Sequence, residues 1–296
     1  MASTYLSPGW GVAKPGRPNE ARLVVDYREV NKRCQPLAQP TQSTLLQCML
    51  EMARDQAYPW VRVTLDLKNM FFSIPLTNPN GVLNMCVEEI MYKWTVCPQG
   101  YRNSPSLATG AMNRTLETFA ATNDNLWNEE CKIWNYIDDI SIMGRNTTVV
   151  RETATHLVNH LQKDGWTVNS EKSHLHPTAN ITFLGTTFDG TTRRGATHGP
   201  PDLEPLIHSL PTDKRSLQRL LGHLSWYPHY VPPRHLPIVA KLQRQLREKT
   251  QKSTPWTARD DDHLRRLLPA IKNTSLAAIN LNEPLVVTLG YAATHV

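Results

Sequence analysis

The chain has 296 residues, of which 40% are hydrophobic and 20% are charged, as in an ordinary globular protein. This apolar content excludes a fully disordered chain, and no apolar run approaches the roughly 20 residues that a membrane-spanning helix needs. We therefore expect no membrane partner. Five cysteines without a Cys-x-x-Cys pair argue against a disulfide framework and favour a reducing, intracellular compartment. The net charge of +6 suits a polyanionic partner but is weak evidence alone.

Strand-like patterns dominate the part of the chain before residue 195. The runs at 22–27 and 60–67 are rich in β-branched residues, and 183–188 is predicted to be one short strand. A fourth apolar run, 133–143, is also strand-like but contains two adjacent aspartates. These runs predict a mixed α/β region.

Helical spacing occurs in both parts of the chain. It predicts helices over 105–121 and 150–161, with Gly165 well placed to end the second. Leucines at helical spacing over 217–224, and leucines with an isoleucine over 264–271, predict two more amphipathic helices. The C-terminal third is therefore expected to be mainly helical.

The C-terminal third is also basic and contains a proline-rich break. Residues 213–252 include nine Lys or Arg against two acidic residues, and 228–237 separates the two predicted helices. Thr257, with Asp260 three residues later, is a candidate helix cap. A strand is expected over 284–289. The charge is equally compatible with a solvated helical face and with a nucleic-acid contact.

Three carboxylates are the strongest candidates for chemistry. Asp66 ends one predicted strand, whereas Asp138 and Asp139 interrupt another. Buried neighbouring anions repel each other, so this pair indicates either a plain turn or a site in which a cation offsets the repulsion. Carboxylates at one sheet edge can hold two Mg²⁺ ions, which together promote phosphoryl chemistry.

Five motifs, in order along the chain, resemble those of retroviral reverse transcriptases. The metal-binding motif A is matched by Thr64–Phe72, motif B by Cys97–Pro105, and the Tyr-x-Asp-Asp box by Tyr136–Asp139. The fingers signature is matched by Val25–Arg33 and the primer grip by Phe183–Gly185. The gamma-retroviral and endogenous-retrovirus branch is the most similar.

The resemblance implies a role for each matched residue. Asp66, Asp138 and Asp139 match the catalytic carboxylates, which bind two Mg²⁺ ions, with Mn²⁺ as an alternative. Phe71 matches the aromatic gate that excludes ribonucleotides, although a core position is the other interpretation; Phe72 fits a core position better. The other implied nucleotide-binding residues are Lys14, Arg22, Gln99 and Lys172.

The implied fold is an α/β (α+β) right-hand polymerase with fingers, palm and thumb. The expected domains are partial fingers (1–60), palm with part of the fingers (61–195), thumb (196–275) and the start of a connection subdomain (276–296). Family members carry more fingers sequence before the Lys14 region, so the chain is expected to be a truncated piece of a Pol polyprotein.

The implied function is RNA-directed DNA polymerisation on an RNA or DNA template–primer, with deoxynucleoside triphosphate (dNTP) as substrate. Motif A departs from the family, since Asn69-Met70 replaces the usual Asp-Ala, and Met70 is expected to narrow the nucleotide pocket. Two alternatives therefore stay open: an inactive nucleic-acid-binding remnant of an endogenous element, and a structural or interaction protein. The expected location is the cytoplasm, or a virus-like particle; the oligomeric state is not indicated.

Overall fold

The structure is a computed structural model that describes residues 5–14, 16–41, 60–77, 81–123, 126, 131–184, 186–189, 192–195, 213–225, 231, 233–247, 258–273 and 275–277. The described residues divide into two compact units. The described residues of the first unit fall within Met1–Cys48 and Val61–Thr178, and those of the second unit fall within Met49–Trp60 and Ala179–Val296. The predicted boundaries between fingers, palm and thumb remain predictions.

The described part of the first unit contains eight strands and three helices. The strands are β1 (Leu6–Lys14), β2 (Arg17–Val25), β3 (Val61–Asp66), β4 (Asn84–Val87), β5 (Ile90–Lys93), β6 (Cys131–Tyr136), β7 (Asp139–Gly144) and β8 (His174–Thr178). The helices are α1 (Arg28–Arg33), α2 (Ser104–Thr122) and α3 (Thr147–Lys163). Two long helices and a strand at 61–66 confirm the corresponding sequence predictions.

The central sheet of the first unit has the strand order β6-β7-β3-β8, and its neighbouring strands are antiparallel. The predicted run 133–143 is a hairpin rather than one strand, because Ile137 and Asp138 form the turn between β6 and β7. One face of this sheet packs against α2 and α3. The buried core residues include Leu65, Ile140, Met112 and Leu157.

The other sheet of the first unit has the order β2-β1-β4-β5. Here β1 pairs antiparallel with β2 but parallel with β4, so Leu6 lies opposite Asn84. The predicted strand run at 22–27 ends at Val25, and Asp26 then accepts three hydrogen bonds from the Arg28 side chain. This turn leads directly into α1.

Helix α1 is tied to the loop that precedes α2. The Asn31 amide donates to the Gly100 carbonyl oxygen at 2.9 Å, and the Arg102 backbone N–H donates to Asn31 Oδ1 at 2.8 Å. Gly100 has φ +88°, a left-handed conformation that favours glycine. These bonds fix the loop that carries Gln99.

The second unit contains a sheet and three helices in its described part. The strands are β9 (Asn180–Phe183), β10 (Thr186–Asp189), β11 (Thr192–Gly195) and β12 (Ser275–Ala277), in the order β12-β11-β10-β9. The prediction of a single strand over 183–188 was wrong. Leu184 has φ +48°, which breaks the extended backbone, and Phe183 pairs with Thr186 across a hairpin.

The three helices of the second unit share one apolar core. They are α4 (Lys214–Leu224), α5 (Leu236–Arg247) and α6 (Ala258–Asn273), and α4 and α6 confirm the predicted helices. The buried core residues are Leu217, Leu220, Leu224, Ile238, Leu242, Leu264, Leu267, Leu268 and Ile271. Asp213 caps α4, because its side chain accepts from the Ser216 backbone N–H at 2.7 Å.

The remaining sequence predictions fall on other parts of the chain. Thr257, Gly185 and the expected strand over 284–289 lie outside the described residues.

Among the helices that the structure describes, none combines the length and the apolar character needed to cross a membrane.

Candidate active site

The three predicted carboxylates come together at one end of the central sheet. Asp66 is the last residue of β3 and lies opposite Asp139, the first residue of β7. Asp138 occupies the preceding turn, where its carbonyl oxygen accepts a hydrogen bond from the Leu67 N–H at 3.1 Å. The antiparallel register therefore makes neighbours of residues more than 70 positions apart in the sequence.

The turn that carries Asp138 has a strained backbone. Ile137 has φ +54°, and a β-branched residue is unfavourable in the left-handed region. Such strain of about 1–3 kcal/mol persists only where the surrounding structure enforces it. Pairing of Tyr136 with Asp139 closes the turn after two residues and enforces this geometry.

Asp139 lies in surroundings that disfavour its charged form. Burial and the neighbouring charges of Asp138 and Asp66 raise the pKa of Asp139 to about 6, while Lys172 acts in the opposite direction. All three carboxylates are half-buried, so the turn does not leave the Asp pair fully exposed. Like charges on opposed strand residues destabilise a sheet, and a bound cation would relieve this repulsion.

The donor set suits Mg²⁺ in its chemistry, since carboxylate oxygens are the ligands that this ion prefers. In the described part of the chain, however, no three His, Cys, Asp or Glu side chains converge so as to hold a metal ion. Asp66 and Asp138 are close enough to Asp139 for their charges to act on it. The three side chains do not already surround one point.

Asn169 and Ser173 form hydrogen bonds with Asp66, and neither residue was predicted from the sequence. The Asn169 amide donates to Asp66 Oδ1 at 3.0 Å, and its backbone N–H donates to the Asp66 carbonyl oxygen at 2.8 Å. The Ser173 hydroxyl accepts from the Asp66 N–H at 3.0 Å. Asn169 Oδ1 also accepts from the Glu171 N–H, a local turn of a kind that asparagine often forms. Sequence could indicate that turn but not its contact with Asp66.

A cavity of about 850 Å³ lies beside these carboxylates within the first unit. Seven of the eight predicted site residues line it: Lys14, Arg22, Asp66, Phe71, Gln99, Asp138 and Lys172. The eighth, Asp139, is the cross-strand neighbour of Asp66. The structure therefore assembles the whole predicted set, while the role of each residue stays a prediction.

The basic residues around the cavity differ in their partners. Lys14 forms an ion pair of 2.7 Å with Glu20, so an anionic ligand would compete with that carboxylate. Arg22 and Lys172 have exposed side chains that line the cavity. These cations would attract the phosphates of a nucleotide.

The divergent motif A residues form one wall of the cavity. Asn69 has φ +55°, which asparagine tolerates better than most residues, and it precedes a short 3₁₀ helix, Met70–Ser73. Met70 is 2% exposed and belongs to the apolar core, so its side chain is directed mainly into the protein. Phe71 packs against the same core, whereas Phe72 stacks on Trp94 with ring centroids 5.6 Å apart.

Comparisons with known proteins agree with this arrangement. The fold is that of a right-hand polymerase. The structure of a foamy viral protease-reverse transcriptase in complex with double-stranded DNA superimposes with a TM-score of 0.70, at 24% identity over 90% of this chain and 43% of that one. A foamy viral protease-reverse transcriptase in complex with an RNA/DNA hybrid gives a TM-score of 0.69, at 24% identity over 92% and 34%.

The sequence profile described as Reverse transcriptase (RNA-dependent DNA polymerase) matches residues 12–188, and the chain belongs to this family. The Gag-Pol polyproteins of koala retrovirus and gibbon ape leukemia virus are each 28% identical over 95% of the chain. The Pol polyprotein of feline endogenous virus ECE1 is 27% identical over 95% of the chain and 26% of that polyprotein. The chain spans about a sixth of the length of the two Gag-Pol relatives.

Proposed function

We propose that this chain is an RNA-directed DNA polymerase, which adds deoxynucleotides to a primer 3′-hydroxyl on an RNA or DNA template. The observation that carries the proposal is the single cavity lined by seven of the eight residues matched to reverse-transcriptase motifs. These residues belong to six separate stretches of sequence, and a chance cavity would not collect them.

In this proposal Asp66, Asp138 and Asp139 hold divalent metal. Bound Mg²⁺ would activate the 3′-hydroxyl and offset charge on the leaving pyrophosphate. The raised pKa of Asp139 supports this role, because burial and the charges of Asp138 and Asp66 disfavour its anion, and a bound cation would offset them. Asn169 keeps the Asp66 carboxylate oriented through its 3.0 Å hydrogen bond.

The other lining residues bind and select the nucleotide. Arg22 and Lys14 hold the triphosphate, with Lys14 exchanging Glu20 for phosphate oxygens. Lys172 lines the same cavity as Asp66 and donates a proton or hydrogen bond to the pyrophosphate. Phe71 presents its ring to the nucleotide sugar and excludes the ribose 2′-hydroxyl, while the core contacts behind Phe71 resist its displacement.

The test is primer extension on poly(rA)–oligo(dT) with Mg²⁺ and, separately, with Mn²⁺. We expect extension by the unmodified chain and a loss of about a hundredfold or more in Asp138→Asn, because a neutral amide cannot hold the metal charge. Duplex binding, measured by fluorescence anisotropy, should stay nearly unchanged in this variant.

The matched control is Glu117→Gln, which makes the same carboxylate-to-amide change at an exposed position of α2. It should leave extension unaltered. Duplex binding without extension in either metal would contradict the proposal. That outcome would favour a nucleic-acid-binding protein without catalysis.

A further inference from the structure

The second unit contains a cavity that the proposed polymerase function does not use. Its volume is about 550 Å³, within the range of roughly 300–1,000 Å³ typical of small-ligand pockets. Four of its six lining residues are basic or titrate to a cation: Arg234, His235, His263 and Arg266, beside Pro237 and Ile238.

The backbone of this cavity adds to its positive potential. The short 3₁₀ helix Pro233–His235 runs directly into α5, so the lining residues Pro237 and Ile238 belong to the first turn of that helix. The N-terminus of a helix carries partial positive charge and favours anions. Ile238 is also part of the three-helix core, which gives the cavity a fixed wall.

The positively charged side chains of Arg234 and Arg266 lie around a buried histidine, His235. His235 is 8% exposed, and the Arg234 Nε–H donates to its Nε2 at 3.2 Å. Burial, followed by the charges of Arg234, His263 and Arg266, lowers the pKa of His235. Asp262 offsets part of this charge through a 3.0 Å ion pair with Arg266.

We infer that this cavity binds a phosphate group, held by Arg234 and Arg266 above the N-terminus of α5. Arginine suits a phosphate because its planar guanidinium donates paired hydrogen bonds to two oxygens. His263 is a further donor at the rim, His235 orients Arg234 by accepting its Nε–H, and Asp262 limits affinity by competing for Arg266. The site lies within the second unit, so the inference does not depend on the polymerase proposal.

The phosphate could belong to a free polyphosphate or to a nucleic-acid backbone. The first arm of the test measures pyrophosphate binding to the full chain by calorimetry, in EDTA so that no divalent metal bridges the ligand to carboxylates. We expect Arg234→Gln and Arg266→Gln each to weaken binding about three- to tenfold, the range for charge-assisted contacts partly open to water.

Arg265→Gln is the matched control, because Arg265 is an exposed neighbour on α6 and does not line the cavity. It should leave binding unchanged. Equal losses in all three variants, or no binding of pyrophosphate at millimolar concentration, would overturn the inference, since a general charge effect or an empty cavity would then explain the data.

Asp262→Asn provides a test in the opposite direction. Removing this carboxylate frees Arg266 and should tighten pyrophosphate binding about threefold, a gain that loss of folding cannot produce. Unchanged or weaker binding in a variant with an unaltered melting temperature would count against the assigned role of Arg266.

The second arm distinguishes the two sources of phosphate. A fluorescent single-stranded oligonucleotide is titrated into the same variants at fixed salt concentration. Parallel losses for pyrophosphate and oligonucleotide in Arg234→Gln and Arg266→Gln would identify a backbone phosphate as ligand. Loss for pyrophosphate alone would identify a free polyphosphate, and loss for neither would reject the site.

Discussion

The carboxylate site of the first unit and the apolar core of the second unit differ in backbone conformation. The carboxylate site of the first unit lies at strand ends and turns, where Asn69 and Ile137 have positive φ. The core of the second unit lies between three helices and includes fully buried leucines such as Leu242 and Leu264. Polar side chains and left-handed backbone are thus found in one region, and apolar helix packing in the other. Activity and stability should therefore respond mainly to separate sets of mutations.

The sharpest test of this separation is Leu242→Ala in α5. Leu242 is completely buried among the three helices, and its truncation should cost about 2–5 kcal/mol of unfolding free energy. Urea unfolding followed by circular dichroism measures this loss. Leu236→Ala, at a residue of the same helix that is 51% exposed, should change stability by about 0.5 kcal/mol or less. Similar losses in both variants would contradict the packing assigned to this core.

Phe71→Val should change selectivity rather than overall stability. Removing the ring should lower discrimination against ribonucleotides by roughly tenfold or more, because the clash with the 2′-hydroxyl is lost. Competition between dNTP and ribonucleotide in primer extension measures the ratio. Phe72→Val is the control, since that ring lines the same cavity but stacks on Trp94. An unchanged ratio for Phe71→Val would remove Phe71 from the gate role.

Asn169→Ala tests how far the site depends on the hydrogen bond to Asp66. We expect primer extension to slow by about three- to tenfold, since a charge-assisted bond to a carboxylate is lost. The Mg²⁺ concentration for half-maximal rate should rise, and excess Mg²⁺ should restore part of the rate. Ser170→Ala, at the exposed neighbouring position, serves as control. A slower rate with an unaltered Mg²⁺ dependence would mean that Asn169 is merely structural.

The smallest expected effect is on pH-dependent stability at Asp139. The pKa of this carboxyl in the folded chain, about 6, lies above its usual value of 3.8, so the folded chain binds the proton more tightly than the unfolded chain. Stability should therefore fall as pH rises from about 4 to 6 and then level off. Asp139→Asn should melt higher than the parent at pH 7.5 without metal, but not at pH 4.

Thermal melts across this pH range, with and without Mg²⁺, check the prediction. Added Mg²⁺ should narrow the difference at pH 7.5, because the ion compensates the carboxylates only in the parent chain. If the melting temperatures of Asp139→Asn and the parent differ by the same amount from pH 4 to 7.5, burial of charge at Asp139 is not the cause of the difference.

Four of the described helices, α2, α3, α4 and α6, followed from the sequence because their cause is local, whereas α1 and α5 were not predicted. Apolar spacing over 105–121, 150–161, 217–224 and 264–271 reflects the face that each helix buries, and the observed helices cover these ranges. The carboxylate site followed from motifs that resemble a known family, which carried information on strand pairing that spacing alone does not contain. Asp66 and Asp139 meet only because β3 lies beside β7.

Other features depend on contacts that no local pattern encodes. The run 183–188 is uniformly strand-like, yet positive φ at Leu184 divides it into a hairpin. The bond from Asn169 to Asp66 joins residues 103 positions apart, and the Lys14–Glu20 ion pair depends on the hairpin of β1 and β2. Each of these is set by tertiary packing or strand register, which a single sequence does not show.

The position of β3 inside its sheet affects how the protein can fold during its synthesis on the ribosome. Both partners of β3 are synthesised later: β7 follows it by more than 70 residues and β8 by more than 100. A nascent chain therefore exposes an apolar central strand with two unpaired edges during much of its translation, and such edges promote association between chains. This sheet can be completed only after Thr178 has left the ribosomal exit tunnel, so slowed elongation before that point should increase the dependence on chaperones.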